Sequence, residues 1–168
     1  MEVSRKMIDQ ICLFETAKKF GHALSSSELH GVYVKGDAIK TKHKTFGYGL
    51  LYHPNGKQFM DQVKSSFTQK EIESLYIETV NSKGKKILSQ ISKPLTQDQF
   101  DALVCVAYNF GSVPKTLLSL IKVNPNNPKI HEVWVHLSDA QYKKYGNKVK
   151  GLLNRRKLEA DWYIGKHV

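Results

Sequence analysis

The chain has 168 residues, a mean hydropathy of −0.42 and 26 Lys and Arg against 15 Asp and Glu, which gives a net charge of +11. A chain of this length buries roughly 70% of its unfolded surface, so we expect one domain covering residues 1–168. No apolar run reaches the roughly 18 residues that cross a membrane, and the N-terminus has no apolar core with a cleavage site. We therefore expect neither a transmembrane segment nor a signal peptide.

The first predicted element is an amphipathic helix over residues 3–20. Met7, Ile8 and Ile11 recur at the three-and-four spacing of a buried stripe. Glu15 follows Phe14 near the end of this helix. A carboxyl among apolar neighbours keeps its proton near neutral pH, as a general acid must. The alternative is a surface glutamate that only borders the stripe.

A small β lobe is predicted next, after a serine-rich segment at residues 22–31 that forms a loop or begins a short helical turn. Residues 31–36 and 44–52 are rich in Val, Tyr and Phe, which favours two short strands of a hairpin. A basic loop at residues 37–44 connects them. The pattern predicts a hairpin beside the N-terminal helix, within about residues 1–65.

Asp37 and Thr45 are the polar candidates of this lobe. The lysines around Asp37 would hold it ionised, as a base or an electrostatic stabiliser requires, whereas the alternative is a turn residue bonded to local backbone. Thr45 precedes Phe46-Gly47-Tyr48-Gly49, whose glycines permit close backbone approach. Its hydroxyl could orient a water molecule, or Thr45 could be an ordinary strand residue.

The rest of the chain, about residues 66–168, is predicted to be helical. Thr68-Gln-Lys-Glu71 and Thr96-Gln-Asp-Gln99 have the spacing of capping boxes and begin two helices. Residues 81–84 predict the end of the helix that begins at Thr68, before a further short helix. Gly111 predicts the end of the helix that begins at Thr96. Later helices are predicted at residues 116–122, 133–137 and 152–164. The predicted fold class is α+β, with helices dominating.

The two cysteines and the seven histidines do not form a recognisable metal site. Cys12 and Cys105 both lie in apolar helical patterns. We expect them to be buried reduced thiols, and a disulfide between them is the alternative. No Cys and His spacing resembles a zinc site. We expect neither a metal nor a cofactor.

The charge points to a polyanionic partner. Seven Lys and Arg lie between Asp139 and Glu159 with no acid among them, and the excess extends over the whole chain. Nucleic acid, an anionic membrane surface and an acidic wall polymer all fit such a charge, whereas a single basic run can also be a solvated helix face. Because the aromatic residues do not follow an RNA-recognition pattern, we expect no nucleic acid.

These motifs, taken together, resemble the phage-type lysozyme (endolysin) family, the glycoside hydrolase family 24 muramidases. The resemblance covers nearly the whole chain in order. Its N-terminal part consists of Phe14-Glu15, Tyr33, Asp37 and Thr45-Phe46-Gly47-Tyr48-Gly49. Its C-terminal part consists of residues 95–103, 108–111 and 151–159.

The resemblance implies a lysozyme-like fold and hydrolysis of the β-1,4 bond between N-acetylmuramic acid and N-acetylglucosamine in peptidoglycan. It makes Glu15 the general acid, Asp37 the second carboxylate and Thr45 a holder of the attacking water. The implied substrate contacts are Tyr48, Leu51, Tyr108 and Asn109. It also implies a monomer without a cofactor, made in the host cytoplasm and released or delivered to the wall by a separate pore, tail or secretion machine.

The spacing of the two carboxylates leaves alternatives open. Glu15 and Asp37 are 22 residues apart, which is longer than in the family, so Glu28 is a second candidate for the acid. A lysozyme-like binding or structural protein, and a lytic transglycosylase or chitinase on the same scaffold, are the functional alternatives. Arg155 and Arg156 lie four and three residues before Glu159, a spacing that predicts a structural cluster on one helix face.

Overall fold

The computed structural model describes residues 1–30, 32–33, 44–45, 47–48, 50 and 67–167, and this part of the chain is 70% helical. Its helices are α1 (Arg5–Thr16), α2 (Ser26–His30), α3 (Gln69–Gln90), α4 (Gln97–Phe110), α5 (Lys115–Val123), α6 (Lys129–Val135), α7 (Asp139–Tyr145), a 3₁₀ turn (Gly146–Val149) and α8 (Lys150–Tyr163). Two strands, β1 (Val32–Tyr33) and β2 (Lys44–Thr45), are also present. None of the helices in these ranges combines the length and the apolar character needed to cross a bilayer.

The predicted α+β class with a β-hairpin lobe is wrong for the described residues. β1 and β2 pair antiparallel over two residues each, Val32 with Thr45 and Tyr33 with Lys44. A ladder of two residue pairs cannot bury a sheet face, because an independently stable sheet needs three or more strands or a packed helix. Gly47 and Tyr48, predicted to continue the second strand, form a turn instead. Residues 34–43 and 51–66, which would complete the predicted hairpin, lie outside the described residues.

The chain divides into two compact units. We call Met1–Met7 with Lys83–Val168 the helical unit, and Ile8–Ser82 the N-terminal unit. The division near residue 65 within a single domain stays a prediction. In the N-terminal unit, Ile11, Ile72 and Val80 are fully buried, and Tyr76 donates a hydrogen bond from its hydroxyl to the carbonyl of Ile8 at 2.7 Å.

Helix α4 lies at the centre of the helical unit, with every residue from Gln99 to Ala107 buried. It begins at the predicted capping box. Thr96 Oγ1 accepts from the Gln99 amide at 3.1 Å, and Gln99 Oε1 accepts from the Thr96 amide at 2.9 Å. Gly111 ends the helix with φ of +89°, as predicted, in a conformation that favours glycine. Local sequence signals therefore define both ends of this helix.

Helix α3 does not break where the sequence predicts. Its 22 residues run continuously through Gly84, which the sequence assigns to a helix end. A Cβ at Gly84 would lie 2.6 Å from Cζ of Phe100. The glycine is therefore a point of close contact between α3 and α4 rather than a terminator.

The helical unit contains a buried ionic cluster on α6 and α8. Glu159, which is fully buried, accepts from Trp134 Nε1 at 3.2 Å and from Arg155 Nε at 3.3 Å. Arg156, also fully buried, has its Nε 2.7 Å from Glu159 Oε1 and donates from Nη2 to Oε2 at 3.0 Å. The structural cluster predicted from the spacing is confirmed. One carboxylate thus serves two guanidinium groups, and burial lowers the pKa of Arg156.

Both cysteines are free and buried, in agreement with one of the two predicted states. Burial raises the pKa of the Cys12 thiol, against a hydrogen bond with Thr16 that lowers it. Burial also raises the pKa of Cys105, well above its ordinary value. Each thiol is therefore held in its protonated, unreactive form.

We expect Glu159→Gln to lower the free energy of unfolding by about 3 kcal/mol or more, because it leaves two buried arginines without a carboxylate. Urea unfolding followed by circular dichroism measures the change. The matched control is Glu132→Gln, which removes the same charge from an exposed position on α6. Equal stability of the two variants would contradict this role of Glu159.

Candidate active site

Glu15 lies in the last turn of α1 with an exposed side chain, and not in the apolar setting that the sequence predicts. The helix ends one residue later, at Thr16. The Thr16 hydroxyl donates to the carbonyl of Cys12 at 2.8 Å and accepts from the amide of Lys18 at 3.1 Å. Ala17 follows with φ of +59°, outside the right-handed helical region, so the helix does not continue through it. The structure therefore presents the Glu15 carboxyl to solvent beside a firmly held helix end.

Glu28, the second candidate for the acid, lies in the first turn of helix α2. Its Oε1 accepts from the Ser25 amide at 3.0 Å, while its own amide donates to Ser25 Oγ at 3.3 Å. This reciprocal pair is a capping box that was not foreseen from the sequence. The carboxylate of Glu28 thus has a structural partner on the backbone.

The turn at Gly47 and Tyr48 is fixed by its contacts with α2 and α3. The amide of Gly47 donates to the carbonyl of Glu28 at 2.9 Å. Gly47 has φ of +47°, and a Cβ on it would overlap Cγ2 of Ile72. Both the backbone conformation and the close approach therefore require glycine at this position.

Tyr48 is fully buried in the N-terminal unit, although the resemblance predicts a contact with substrate. Its ring centre lies 4.9 Å from that of Tyr76, 5.4 Å from that of Phe20 and 5.5 Å from that of His22. Burial raises the pKa of Tyr48 to about 12, against a hydrogen bond with the backbone of Gly21 that lowers it. The buried ring of Tyr48 therefore anchors the turn in the core of the N-terminal unit. It has no exposed surface with which to contact a sugar.

Three of the predicted site residues are described in part or not at all. Asp37 and Leu51 lie outside the described residues. Thr45 is described by its backbone, which pairs with Val32 across the short ladder. The backbone of Thr45 thus pairs with Val32, that of Gly47 contacts Glu28, and the role of Asp37 stays a prediction.

Tyr108 and Asn109 lie in the last turn of α4, in the helical unit. Tyr108 is half-buried and Asn109 is exposed. Lys83 Nζ donates to the carbonyl of Gly111 at 2.8 Å, and burial lowers the pKa of this lysine. The guanidinium carbon of Arg156 lies 4.7 Å from the ring centre of Phe110, which is 40% exposed. Two cations thus hold the end of α4, where the helix dipole is negative.

A groove of about 640 Å³ lies between α5 and α6 and was not foreseen from the sequence. Its lining offers hydroxyl, ammonium, carboxylate and imidazole groups that can hydrogen-bond to a sugar. The one available signal was the i,i+4 spacing of Glu132 and His136 on a short helix. The lining residues are Thr116, Lys129, Glu132, Val133, His136 and Leu137.

No three His, Cys, Asp or Glu side chains converge as possible metal ligands in the described parts of the chain. His131 and His167 each pair with a single carboxylate instead, Asp161 and Asp98 respectively, at 2.8 Å.

Comparison with known protein families gives one match to most of the chain. The family described as phage lysozyme matches residues 28–159. A curated relative, an endolysin of Acyrthosiphon pisum secondary endosymbiont phage 1, is 27% identical over 92 residues. That alignment covers 55% of this chain and 58% of the relative, so the chain spans little more than half of that endolysin's length. Glu15 precedes the residues matched by the family, and Glu28 is the first of them.

Two solved structures share the fold over nearly their whole length. An endolysin from Escherichia coli O157:H7 phage FAHEc1 is 25% identical, with a TM-score of 0.65 over 99% of this chain and 96% of that chain. The muramidase domain of SpmX from Asticaccaulis excentricus is 18% identical, with a TM-score of 0.53 over 98% of both chains. The lysozyme-like fold that the resemblance implies is confirmed.

We expect Gly47→Ala to destabilise the protein by about 2 kcal/mol or more, since it adds backbone strain and an overlap with Ile72. Thermal and urea unfolding measure the loss. Gly151→Ala is the control, because no atom lies near a Cβ at that helical position. Alanine there should be neutral or stabilise by up to about 1 kcal/mol. A loss of stability at Gly151 equal to that at Gly47 would contradict the close-approach argument.

The raised pKa of Tyr48 makes stability depend on alkaline pH. The unfolded tyrosine ionises from about pH 10 upward, while the folded one stays neutral up to about pH 12. The free energy of unfolding should therefore fall as pH rises through this window. In Tyr48→Phe the fall should be smaller, measured by urea unfolding between about pH 8 and pH 11. The exposed Tyr145→Phe is the control, and an equal change in both variants would contradict the assignment.

Proposed function

Because the chain belongs to the phage lysozyme family, we propose that it hydrolyses the β-1,4 bond between N-acetylmuramic acid and N-acetylglucosamine in peptidoglycan. The observation that carries the proposal is the family match over residues 28–159, which spans the turn at Gly47, the end of α4 and the segment before Glu159. The similarity in fold to a phage endolysin over 99% of the chain supports it.

In the proposed reaction, Glu15 donates its proton to the glycosidic oxygen as the bond to the sugar breaks. Asp37 stabilises the positive charge that develops on the sugar ring, or takes the proton of the attacking water. Thr45 holds that water. The water oxygen bonds to the anomeric carbon, its proton restores the carboxyl pair, and the products are two shorter glycan chains with a new reducing end.

Glu15 is kept as the proposed acid for its access to substrate, although its exposed side chain lacks the apolar neighbours that the sequence predicts. Its side chain is exposed at the end of a 12-residue helix, where a substrate oxygen can approach it. The Glu28 carboxylate accepts a backbone hydrogen bond that fixes the start of α2. A group that exchanges a proton with substrate in every turnover is poorly placed in such a cap, since protonation would weaken the hydrogen bond that it accepts.

Substrate contacts are proposed at the exposed end of α4 and in the groove between α5 and α6. Asn109 presents an amide, and Tyr108 a partly exposed ring, on a helix end held by Lys83 and Arg156. Leu51 is retained as a proposed contact from the resemblance. Tyr48 is not retained, because its ring is fully buried in the N-terminal unit.

The protein is proposed to act as a monomer on the bacterial wall, without a cofactor. The match to a phage endolysin supports a phage protein that acts on the wall. Release from the host cytoplasm through a separate pore, or delivery by a tail or secretion machine, is the proposed route. The net charge of +11 favours association with the anionic wall.

The proposal predicts that Glu15→Gln slows the clearing of purified peptidoglycan by about a hundredfold or more, as expected for loss of a general acid. Turbidity measurements give the rate. Glu28→Gln is the matched control, because glutamine also forms a capping box and should preserve α2. It should retain a rate within a few-fold of the wild type.

Two results would contradict this assignment in different ways. Loss of clearing in Glu28→Gln with clearing retained in Glu15→Gln would move the acid to Glu28. No release of sugar by the wild-type protein from any wall would contradict hydrolysis itself. Mass spectrometry of the released fragments tests the bond chemistry, since hydrolysis yields reducing ends and a transglycosylase yields anhydro ends.

A further inference from the structure

The segment from α7 to the first residue of α8 is exposed along its length and strongly basic. All seven residues of α7 are exposed, and neither α7 nor the following 3₁₀ turn contains a buried residue. Tyr142 is 37% exposed and Tyr145 is 52% exposed. We call the following six residues the lysine–tyrosine surface: Tyr142, Lys143, Lys144, Tyr145, Lys148 and Lys150.

The charge of this surface is not balanced by nearby acids in the sequence. Asp139, at the start of α7, lies 2.6 Å from His136 through its Oδ2, and the next acid is the buried Glu159. The two arginines that precede Glu159 are buried and contribute their charge to the interior. The four lysines of the surface are therefore its exposed charge, and they attract a partner with closely spaced negative groups.

The tyrosines distinguish this surface from a plain solvated helix face. Tyr142 and Tyr145 are three residues apart, which places them on the same side of α7. Lys144 Nζ lies 5.2 Å from the ring centre of Tyr145, so an ammonium and an aromatic face are presented together. A phenol ring packs on apolar surface and keeps its hydroxyl in water, which suits the face of a sugar ring.

We propose that the lysine–tyrosine surface binds an anionic polysaccharide of the bacterial envelope, one whose sugar units carry phosphate groups. The lysines contact the phosphates and the tyrosines pack on the sugars. A membrane surface fits less well, because α7 lacks the large apolar face with which a helix enters the lipid headgroup region. The choice of a saccharide as the partner rests on the proposed function. None of the residues proposed for the reaction belongs to the lysine–tyrosine surface.

Such binding would hold the protein at the wall between successive cleavages. A second attachment raises the effective concentration of the substrate without any new contact to the reacting bond. Because the contacts are exposed charges, salt should weaken them over a screening length of about 10 Å at 0.1 M. The surface should therefore affect hydrolysis of an intact wall and leave hydrolysis of a small soluble oligosaccharide unchanged.

The experiment compares two variants of equal charge. The test variant is Lys143→Gln, Lys144→Gln, Lys148→Gln and Lys150→Gln. The control variant is Lys85→Gln, Lys93→Gln, Lys115→Gln and Lys122→Gln, which removes four exposed lysines elsewhere in the helical unit. Sedimentation binding is measured on wall that bears its phosphate polymer, and on the same wall after hydrofluoric acid has removed that polymer.

We expect the test variant to bind phosphate-bearing wall about tenfold more weakly than the wild type at low salt, and the control variant less than about twofold more weakly. On stripped wall the two variants should bind alike. Both should cleave a soluble chitooligosaccharide or muropeptide substrate at the wild-type rate. Tyr142→Ser with Tyr145→Ser should also weaken binding to phosphate-bearing wall, while unchanged binding would overturn the role of the rings.

Other outcomes would overturn the proposal. Equal losses in the test and control variants would mean that binding follows net charge alone. An equal loss on stripped wall would make the glycan strand itself the ligand. Tighter binding of the surface to duplex DNA or to phosphatidylglycerol vesicles would assign it to another partner. Failure of the proposed function is distinguishable, since a wild-type protein without hydrolytic activity could still bind the wall through this surface.

Discussion

The carboxylate of Glu159 accepts hydrogen bonds from Trp134 on α6 and from two arginines on α8, and the arrangement of the helical unit depends on it. Arg155 also donates from Nη2 to the carbonyl of Cys105 in α4, at 3.2 Å. Three helices are thereby tied to one buried charge. Since Arg156 lies under the ring of Phe110, the same charge also fixes the exposed end of α4 where substrate contacts are proposed.

Local signals in the sequence were sufficient for several helix ends. The capping boxes at Thr68 and Thr96 and the glycine at Gly111 each act over three or four residues, so that neighbouring sequence alone defines them. The ionic cluster around Glu159 was likewise foreseen from its i,i+3 and i,i+4 spacing. The lysozyme-like fold followed from the order of the motifs along the whole chain.

Tertiary contacts explain the predictions that were wrong. Gly84 has the composition of a helix end but sits against Phe100, a residue 16 positions later. Tyr48 alternates like a strand residue but packs on Phe20 and Tyr76 from other elements. Neither contact is visible in a local pattern, because the partner lies far away in sequence.

The two glutamates near the proposed site differ both in spacing and in structural setting. Glu28 lies nine residues before Asp37 and Glu15 lies 22 before it, so spacing favours Glu28, and the family match also begins there. The capping geometry assigns Glu28 to the start of α2, which in turn anchors the turn at Gly47 through its carbonyl. The turn that follows Thr45, the proposed water-holder, is thus held by the backbone of the glutamate that is not proposed to react.

The two buried thiols have a practical consequence for studying how the protein opens. Cys12 belongs to the N-terminal unit and Cys105 to the helical unit, and both are buried as free thiols. A thiol reagent can modify either residue when its own surroundings unfold locally or globally. The chain thus carries one native chemical reporter in each unit, and the two labelling rates compare the local stability of the units without any engineered cysteine.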